Sequence, residues 1–410
     1  MADLSFTAVD VDAPLFAAFR RTQAAVFLDA YPDDEAVERR RKIAERALRR
    51  SAVLDGEQVV ATYVSWDTHV TVPGGGLVPA DAVSGVTVLP THRRRGILTR
   101  MIVADLADAA ERGLPVAILI AAEAPIYGRY GFGPATETAH WSIDVRAAWL
   151  APTVLHAGTV EVVAEPTMRD LAPAIFEAAR RPGALDQLDS WWDVRFGLAG
   201  DPGHKPTTWL VHRDGNGRPD GYATYRPEEV WVDREIRSVA HVEQVQAATG
   251  TAYTGLWKVL TSLDLVARVD AAELAVDEPL PWLLTDVRAA RQMSRSDFQW
   301  SRLLDPAEAL SARRYESPGV VTFEVVDPNH WAGGTFRLEA DVDGAGACSR
   351  AKASPEITLP VEVLSSVWLG AGDLSAAALA GRVDEHVAGT VDRLARLLRT
   401  TRAPWTPTWF

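Results

Sequence analysis

The stretch Val86 to Leu98, VTVLPTHRRRGIL, constrains the fold more than any other part of the chain, because it turns a β-strand into a helix through a basic corner containing glycine. Val86, Val88 and Leu89 belong to an apolar run of β-formers, and Pro90 ends it by removing a backbone donor and fixing φ. From Arg94 to Arg112 the apolar Leu98, Met101, Ile102, Leu106 and Ala109 recur at helical spacing, and Gly113 with Pro115 supplies the stop. In Arg93-Arg94-Arg95-Gly96 the glycine lets the backbone approach a ligand, and the helix's first amides carry the positive end of its dipole. Arginines at that end oppose the dipole, so the corner predicts a bound anion rather than a solvated basic face.

The chain has 410 residues, 47% hydrophobic and 24% charged, which fits two or three folded domains and neither disorder nor a membrane protein. No run approaches the roughly 18 apolar residues a spanning helix needs. The opening MADLSFTAVDVDAP carries acids where a signal peptide has basic residues, so a cytoplasmic protein is expected. A lone Cys348 allows no internal disulfide, and the absence of zinc-like Cys/His spacing gives no reason to expect a metal. The net charge of −13 weighs against a nucleic-acid partner and suits polycationic substrates such as amines.

Three segments follow. Residues 1–150 read as one α/β unit: helix over most of Asp12 to Arg50, strands from Ala52, a hairpin turn at Asp55-Gly56, a strand through Val70, then Gly74-Gly75-Gly76 before the strand Val83 to Leu89. That strand, the helix after Arg94 and the buried strand Val116 to Ile120 form a right-handed crossover, with ligands expected at the strands' carboxyl ends. Residues 151–297 loosely repeat this order, with helices at Pro166 to Arg181 and Thr254 to Asp264 and strands at Thr207 to Val211, Gly221 to Tyr225 and near Leu274 to Val276, but lack an Arg-x-x-Gly-x-Gly turn. Residues 298–410 read as α+β, with strands Val320 to Val326 and Thr335 to Val342, a turn around Cys348, helix from Val383 to Arg399, and a tail that Pro404 and Pro407 keep extended.

Arg93, Arg94, Arg95, Gly96, Ile97 and Leu98 occupy the Arg/Gln-x-x-Gly-x-Gly/Ala positions of a motif, so the strand–corner–helix segment resembles the GCN5-related N-acetyltransferases (GNATs). Leu98 stands where the family usually has a small residue. Ala121 to Ala135, AAEAPIYGRYGFGPA, taken with the corner and a terminal aromatic Phe410, resembles the Eis (enhanced intracellular survival) acetyltransferases within that group. The resemblance implies an α/β and α+β architecture: tandem GNAT folds, the first functional and the second degenerate and free of cofactor, then a sterol-carrier-like C-terminal domain. It also implies acetyl-CoA as co-substrate and a hexameric assembly.

Acetyl transfer to an amine needs a positioned neutral amine, support for the developing oxyanion and a proton for the departing thiolate. No Gly-x-Ser-x-Gly elbow occurs, so direct attack is expected. The backbone of Val86, Thr87 and Val88 is expected to orient the pantetheine, and Arg94, Arg95, Gly96, Ile97, Leu98 and Thr99 to hold the pyrophosphate. Resemblance assigns a further cofactor contact to Ala122 and Glu123, through their backbone. Tyr127 follows the buried strand by seven residues, and its place in Ile-Tyr-Gly-Arg implies the general acid, with Tyr130 the competitor. Resemblance likewise assigns the general base to the terminal carboxylate, here on Phe410. Asp29 beside Phe27, with Asp33 or Asp34 as alternatives, is the candidate ammonium contact, and Trp409 replaces an acid that the Eis proteins tend to carry before the terminal Phe. The acceptors implied are amines of aminoglycosides or similar polyamines, and acetylation would weaken such a drug's hold on ribosomal RNA. Two other readings stand: a protein-lysine acetyltransferase using the same site, and a lipid-binding protein with a vestigial N-terminal fold.

Overall fold

The computed structural model describes residues 4–152, 154, 157–198, 204–205 and 207–410. Residues 1–3, which open the segment read for a leader, lie outside these. The chain divides into two units, the first Met1–Thr136 with Phe298–Thr401 and Trp409–Phe410, the second Glu137–Asp297 with Arg402–Thr408.

The first unit begins with β1 (Leu4–Ala8), α1 (Leu15–Phe27), α2 (Asp34–Ile43), β2 (Arg49–Asp55), β3 (Gln58–Thr71), β4 (Leu77–Val88), α3 (Ile97–Glu111), β5 (Val116–Ile120), α4 (Ala124–Tyr127) and β6 (Gly133–Pro134). The Asp55-Gly56 hairpin joins β2 to β3, with Gly56 at φ +62°. β3 buries all but three of its 14 residues, as its run of Val, Thr, Tyr and Trp requires. In α3 the buried positions are Ile97, Met101, Ile102, Leu106 and Ala109, and burying each large one stabilises by about 1.5–3 kcal/mol. The helix starts three residues later than its periodicity suggests, because Arg94 (φ +63°) and Gly96 (φ +75°) are left-handed. Gly113 ends it in the left-handed conformation, with the Leu114 amide donating to Ala109 O at 3.0 Å. β4 and β5 are parallel, as the crossover requires. β1, an edge strand on β2, goes unread in the sequence.

The second unit holds β7 (Glu137–Asp144), β8 (Thr159–Val163), α5 (Glu165–Ala178), α6 (Asp189–Arg195), β9 (Thr208–Arg213), β10 (Pro219–Glu228), β11 (Trp231–Val232), β12 (Glu235–Ile236), β13 (Ser238–Ala247), α7 (Gly250–Leu260), β14 (Val266–Leu274), α8 (Leu280–Leu283) and β15 (Ala290–Asp297). Its sheet runs β15-β7-β14-β13-β10-β9-β8. β7 therefore leaves the first sheet, and the sheets divide at 136/137 rather than near residue 150. The strand expected at Leu274 to Val276 shares only Leu274 with β14, which runs before it, Val276 lying in a turn; β8, β13 and β15 also went unread. β13, α7 and β14 repeat the parallel crossover of β4, α3 and β5. Here, however, Thr249 caps α7, its hydroxyl accepting the Ala252 amide at 3.1 Å, so the helix end has its own acceptor. The pairing of β13 with β14 stops at Val242 and Ala271. Beyond that point the tail touches both strands: Gln244 Nε2 donates to Pro407 O at 3.3 Å, and Trp405 Nε1 to Glu273 O at 3.1 Å.

The chain re-enters the first unit with β16 (Gln299–Leu303), which pairs between β5 and β6 in the sheet β1-β2-β3-β4-β5-β16-β6. α9 (Pro306–Ser311), β17 (Gly319–Val326), β18 (Gly334–Ala340), β19 (Gly346–Arg350), β20 (Ile357–Pro360), α10 (Val361–Val367), α11 (Leu374–Leu379), β21 (Asp384–Glu385) and α12 (Thr390–Leu398) complete the α+β C-terminal domain, with sheet order β19-β18-β17-β20-β21. Two expectations are corrected. Cys348 is buried in β19 opposite Leu338 instead of lying in a turn, and the helix expected from Val383 begins at Thr390, after Gly389 at φ +84°. Ser301 Oγ donates to Ser365 O at 2.7 Å and accepts from Trp368 Nε1 at 2.7 Å, fastening β16 to α10.

On the side of the first sheet facing α3, Tyr63 Oη and Ser65 Oγ donate to Asp105 at 2.9 and 2.6 Å. Asp81, fully buried, pairs with Arg49 and, at 3.2 Å, with Arg112. Burial and the neighbouring Asp105 push the Asp81 carboxyl up to about 8 against those guanidinium groups. An unfolded Asp titrates near about 3.9, so the folded state holds the extra proton between these values. The stability this gives is complete below about pH 4 and lost as pH rises through about 8. Asp81→Asn should therefore flatten the fall in Tm between about pH 5 and 8. Melting curves across that range check it, and an unchanged slope would contradict the assignment.

Candidate active site

β4 pairs with β5 only from Ala80↔Val116 to Val83↔Leu119. Past Val83 the strands part, leaving the edge of Ser84–Val88 that faces β5 without a ladder partner. The parting coincides with a bulge: Thr62 opposes Thr87 and Val64 opposes Ser84, so β4 carries one residue more than β3 between these pairs. Gly85 sits in the bulge at φ +58°, a left-handed conformation that favours glycine. Its carbonyl accepts from Thr62 Oγ1 at 2.7 Å and from Gln23 Nε2 of α1 at 3.3 Å. In a trans peptide the next amide points the opposite way, so holding this carbonyl toward β3 turns the Val86 N–H toward the open edge. Val86, Thr87 and Val88 thus offer backbone groups to an extended ligand lying along β4.

Beyond the strand, Pro90–His92 form one 3-10 turn and Arg93–Gly96 an exposed corner. His92 Nε2 lies 3.0 Å from Asp55 Oδ2, tying the corner to the β2–β3 hairpin. Arg95 reaches toward the same carboxylate at 3.9 Å, whereas Arg94 has no acidic partner among the described residues. The first in-chain helical bond is Arg100 N to Gly96 O at 3.1 Å, so the amides of Ile97, Leu98 and Thr99 precede the helical ladder. Nothing stands within 4 Å of where a Cβ on Gly96 would lie. Open amides, a side-chain-free corner and an uncommitted guanidinium fit a pyrophosphate. Leu98 is half-buried against the first-unit core, which explains a large residue where the motif usually has a small one.

Tyr127 ends α4, seven residues after β5, in a cluster with Tyr63, Met101, Ile102 and Phe132. Its ring meets Phe132 edge-on at 6.1 Å. Burial, with the Glu123 charge and Tyr130 nearby, pushes its phenol up to about 12. The hydroxyl makes no hydrogen bond among the described residues and stays protonated at neutral pH. Tyr130 differs, because its Oη lies 2.9 Å from Thr99 Oγ1, a bond that ties it to the start of α3. Ala122 and Glu123 are exposed between β5 and α4, where their backbone is accessible.

On the opposite face of the sheet α1 ends in exposed Phe27 and left-handed Leu28, and the Asp29 amide closes the turn on Ala24 O at 3.0 Å. The Asp29 carboxylate is exposed and without an ion pair among the described residues. Asp33 and Asp34 have local tasks: Asp33 accepts the Ala36 amide at 2.7 Å as the cap of α2, and Asp34 pairs with Arg21 at 2.5 Å. Phe410 is half-buried, its ring edge-on to Trp66 at 5.6 Å. Trp66 alternates with Ser65 on β3 and shares the face of Thr62, so the terminal residue joins the sheet on the side of α1, opposite the cluster of Tyr127. The apolar end of the tail is only partly buried: Trp405 is buried, while Trp409 is 65% exposed. Burial pushes the Cys348 thiol up to about 12, which suits a packed residue and not a nucleophile.

Residues 12–135 and 183–313 each match the model of an acetyltransferase (GNAT) domain, and residues 306–407 that of a sterol carrier protein domain. An uncharacterized N-acetyltransferase of Streptomyces avermitilis is 40% identical over 90% of this chain and 91% of its own. N-acetyltransferase Eis of Mycobacterium tuberculosis is 36% identical over 80% of each chain. The chain belongs to the Eis family of GCN5-related N-acetyltransferases. The crystal structure of Eis1 from Mycobacterium abscessus superposes with a TM-score of 0.85, at 30% identity and over the whole of both chains. This Eis-family protein is therefore an N-acetyltransferase with two GNAT domains and a sterol-carrier-like third, and the GNAT fold implies acetyl-CoA. Among the described residues no helix is long and apolar enough to cross a membrane, and no group of three or more His, Cys, Asp or Glu could hold a metal.

The clamp of Thr62 and Gln23 on the bulge went unread, although a glycine inside a strand signals one. A Cβ at Gly85 would lie 2.4 Å from Gln23 Nε2 and 3.0 Å from Val64 Cγ2. Gly85→Ala should cost about 1–3 kcal/mol of stability and weaken acetyl-CoA binding about tenfold or more, by turning the Val86 amide. Calorimetric titration with acetyl-CoA checks this; unaltered affinity would separate the bulge from cofactor binding.

Proposed function

We propose that this Eis-family protein acetylates amines of aminoglycoside-like polycations by direct attack, with Tyr127 as general acid and the α-carboxylate of Phe410 as general base. The observation that carries the reading is the open edge of β4 at Val86, which packs against the cluster holding buried Tyr127, whose hydroxyl has no hydrogen-bond partner among the described residues. The net charge of −13 and the unpaired Asp29 beside Phe27 suit a polycationic acceptor.

Acetyl-CoA supplies the activated acetyl group. The edge of Val86, Thr87 and Val88 holds its pantetheine arm, Arg94, Arg95 and the backbone of Gly96–Thr99 hold the pyrophosphate, and the backbone of Ala122 and Glu123 borders the arm. Asp29 and Phe27 receive a charged amine and the apolar rim of the acceptor. The Phe410 carboxylate takes the proton that the attacking nitrogen loses. The Val86 amide supports the negative charge growing on the carbonyl oxygen, and Tyr127 donates its proton to the departing sulfur. The product amide has one positive charge fewer than the acceptor.

Tyr127→Phe should lower kcat by about 10²–10⁴-fold with the acetyl-CoA KM within about twofold, and unchanged turnover would remove Tyr127 from its role. Because its phenol titrates near 12, no alkaline loss of kcat from this group should appear below about pH 10. Adding one glycine after Phe410 turns the carboxylate into an amide and should cut kcat at least about tenfold; full activity would rule out the terminal base. A panel of aminoglycosides, linear polyamines and lysine peptides, read by CoA release, tests the acceptor class. Turnover of lysine peptides alone would replace the small-molecule reading with the protein-lysine one.

A further inference from the structure

The turn that carries Tyr127 is gripped by a late-arriving strand of its own sheet, β16, which ties it to the C-terminal domain. Arg302 of β16 is completely buried, and its Nε donates to the Tyr130 carbonyl at 2.9 Å. Its Nη2 donates to both carboxylate oxygens of Asp327 in the C-terminal domain, at 2.8 and 2.7 Å, and Nη1 donates to Leu303 O. Asp327 also accepts the amides of Asn329 at 3.1 Å and Ala332 at 2.9 Å, and Trp331 lies 5.4 Å beneath the guanidinium. Every polar atom of the pair has a partner that fixes direction. A buried ion pair of this kind adds little net stability compared with an apolar pair, but it holds geometry tightly.

The glycines of the segment report the same grip. A Cβ on Gly131 would come within 2.5 Å of Arg302 Nε, and one on Gly133 within 2.1 Å of Glu362 O in α10. Gly131 is at φ +85° and its amide closes on Gly128 O at 3.0 Å, so Tyr127 to Gly131 is one compact turn. These glycines are demanded by close approach of β16 and α10. Among the described residues the Tyr127 hydroxyl has no hydrogen-bond partner, so the backbone of this turn and the packing around the ring set its place.

We propose that Arg302, held by Asp327, is a positioning residue for the catalytic acid, so that the C-terminal domain acts on catalysis through the turn bearing Tyr127. The proposal rests on Tyr127 being the acid. Lysine at 302 keeps the charge but has one nitrogen, and so loses the separate Nε and Nη2 donors that join Tyr130 to Asp327.

The test is a double-mutant cycle of Arg302→Lys and Tyr127→Phe in the full-length protein, with kcat, the acetyl-CoA KM and Tm measured for each. Arg302→Lys alone should lower kcat about tenfold or more with KM within about twofold, and in the Tyr127→Phe background it should change kcat less than about twofold. A structural role alone would lower activity by the same factor in both backgrounds, and that result would overturn the proposal. Tyr127→Phe by itself reports separately on the acid: if it leaves kcat intact, the reading of Tyr127 fails whatever Arg302→Lys does. If Arg302→Lys does not fold, Trp331→Leu, which keeps the ion pair and loosens the guanidinium, takes its place in the cycle. The same non-additivity is then expected, and additivity overturns the proposal.

Discussion

Everything at the site depends on the place where β4 stops pairing with β5. A continuous parallel ladder would satisfy every backbone group of Ser84–Val88 internally and leave nothing for a ligand. The extra residue at Gly85 breaks the register, and Thr62 and Gln23 hold the broken register in one orientation by taking both acceptor sites of a single carbonyl. The corner at Arg93–Gly96 and the turn at Tyr127 then lie at the ends of the two strands that part.

The second unit shows the same crossover with a side-chain cap at its helix. Its helix α7 is capped by Thr249, and the tail lies against β13 and β14 beyond the end of their pairing. A parted pair of strands is an unsatisfied backbone edge in either copy. In the first copy no strand pairs with it beyond Val83, and in the other the tail bonds to residues of both strands. Trp409 and Phe410 then belong to the first unit, with Phe410 against Trp66.

Local physics made part of this legible. Pro90, the helical spacing from Leu98 to Ala109 and Gly113 each act within a few residues, and β4, α3 and β5 followed from them. The motif resemblance supplied the domain order for the same reason, since it reads short contiguous segments. What was not legible is pairing at long range. Nothing in ETAHWSID says that β7 pairs with β14 and β15 rather than with the strand before it, and nothing in QWSRL says that β16 fills the vacated place between β5 and β6. Cys348 looked like a turn residue because its neighbours are small and polar, yet strand pairing with Leu338 buries it. Asp33 and Asp34 resembled substrate contacts until a helix cap and a guanidinium accounted for them.

The sequence by itself determined the basic corner between β4 and α3, Tyr127 and Phe410 as candidates, and the family, because these reside in contiguous motifs whose chemistry is carried by residue type. The tertiary structure alone decided that the strand edge is open, that the amide of Val86 faces it, and that Arg302 and Asp327 reach the turn of Tyr127 from 175 and 200 residues away. Such relations depend on hydrogen-bond direction and close approach between segments distant in the chain. They exist only once the sheets have formed.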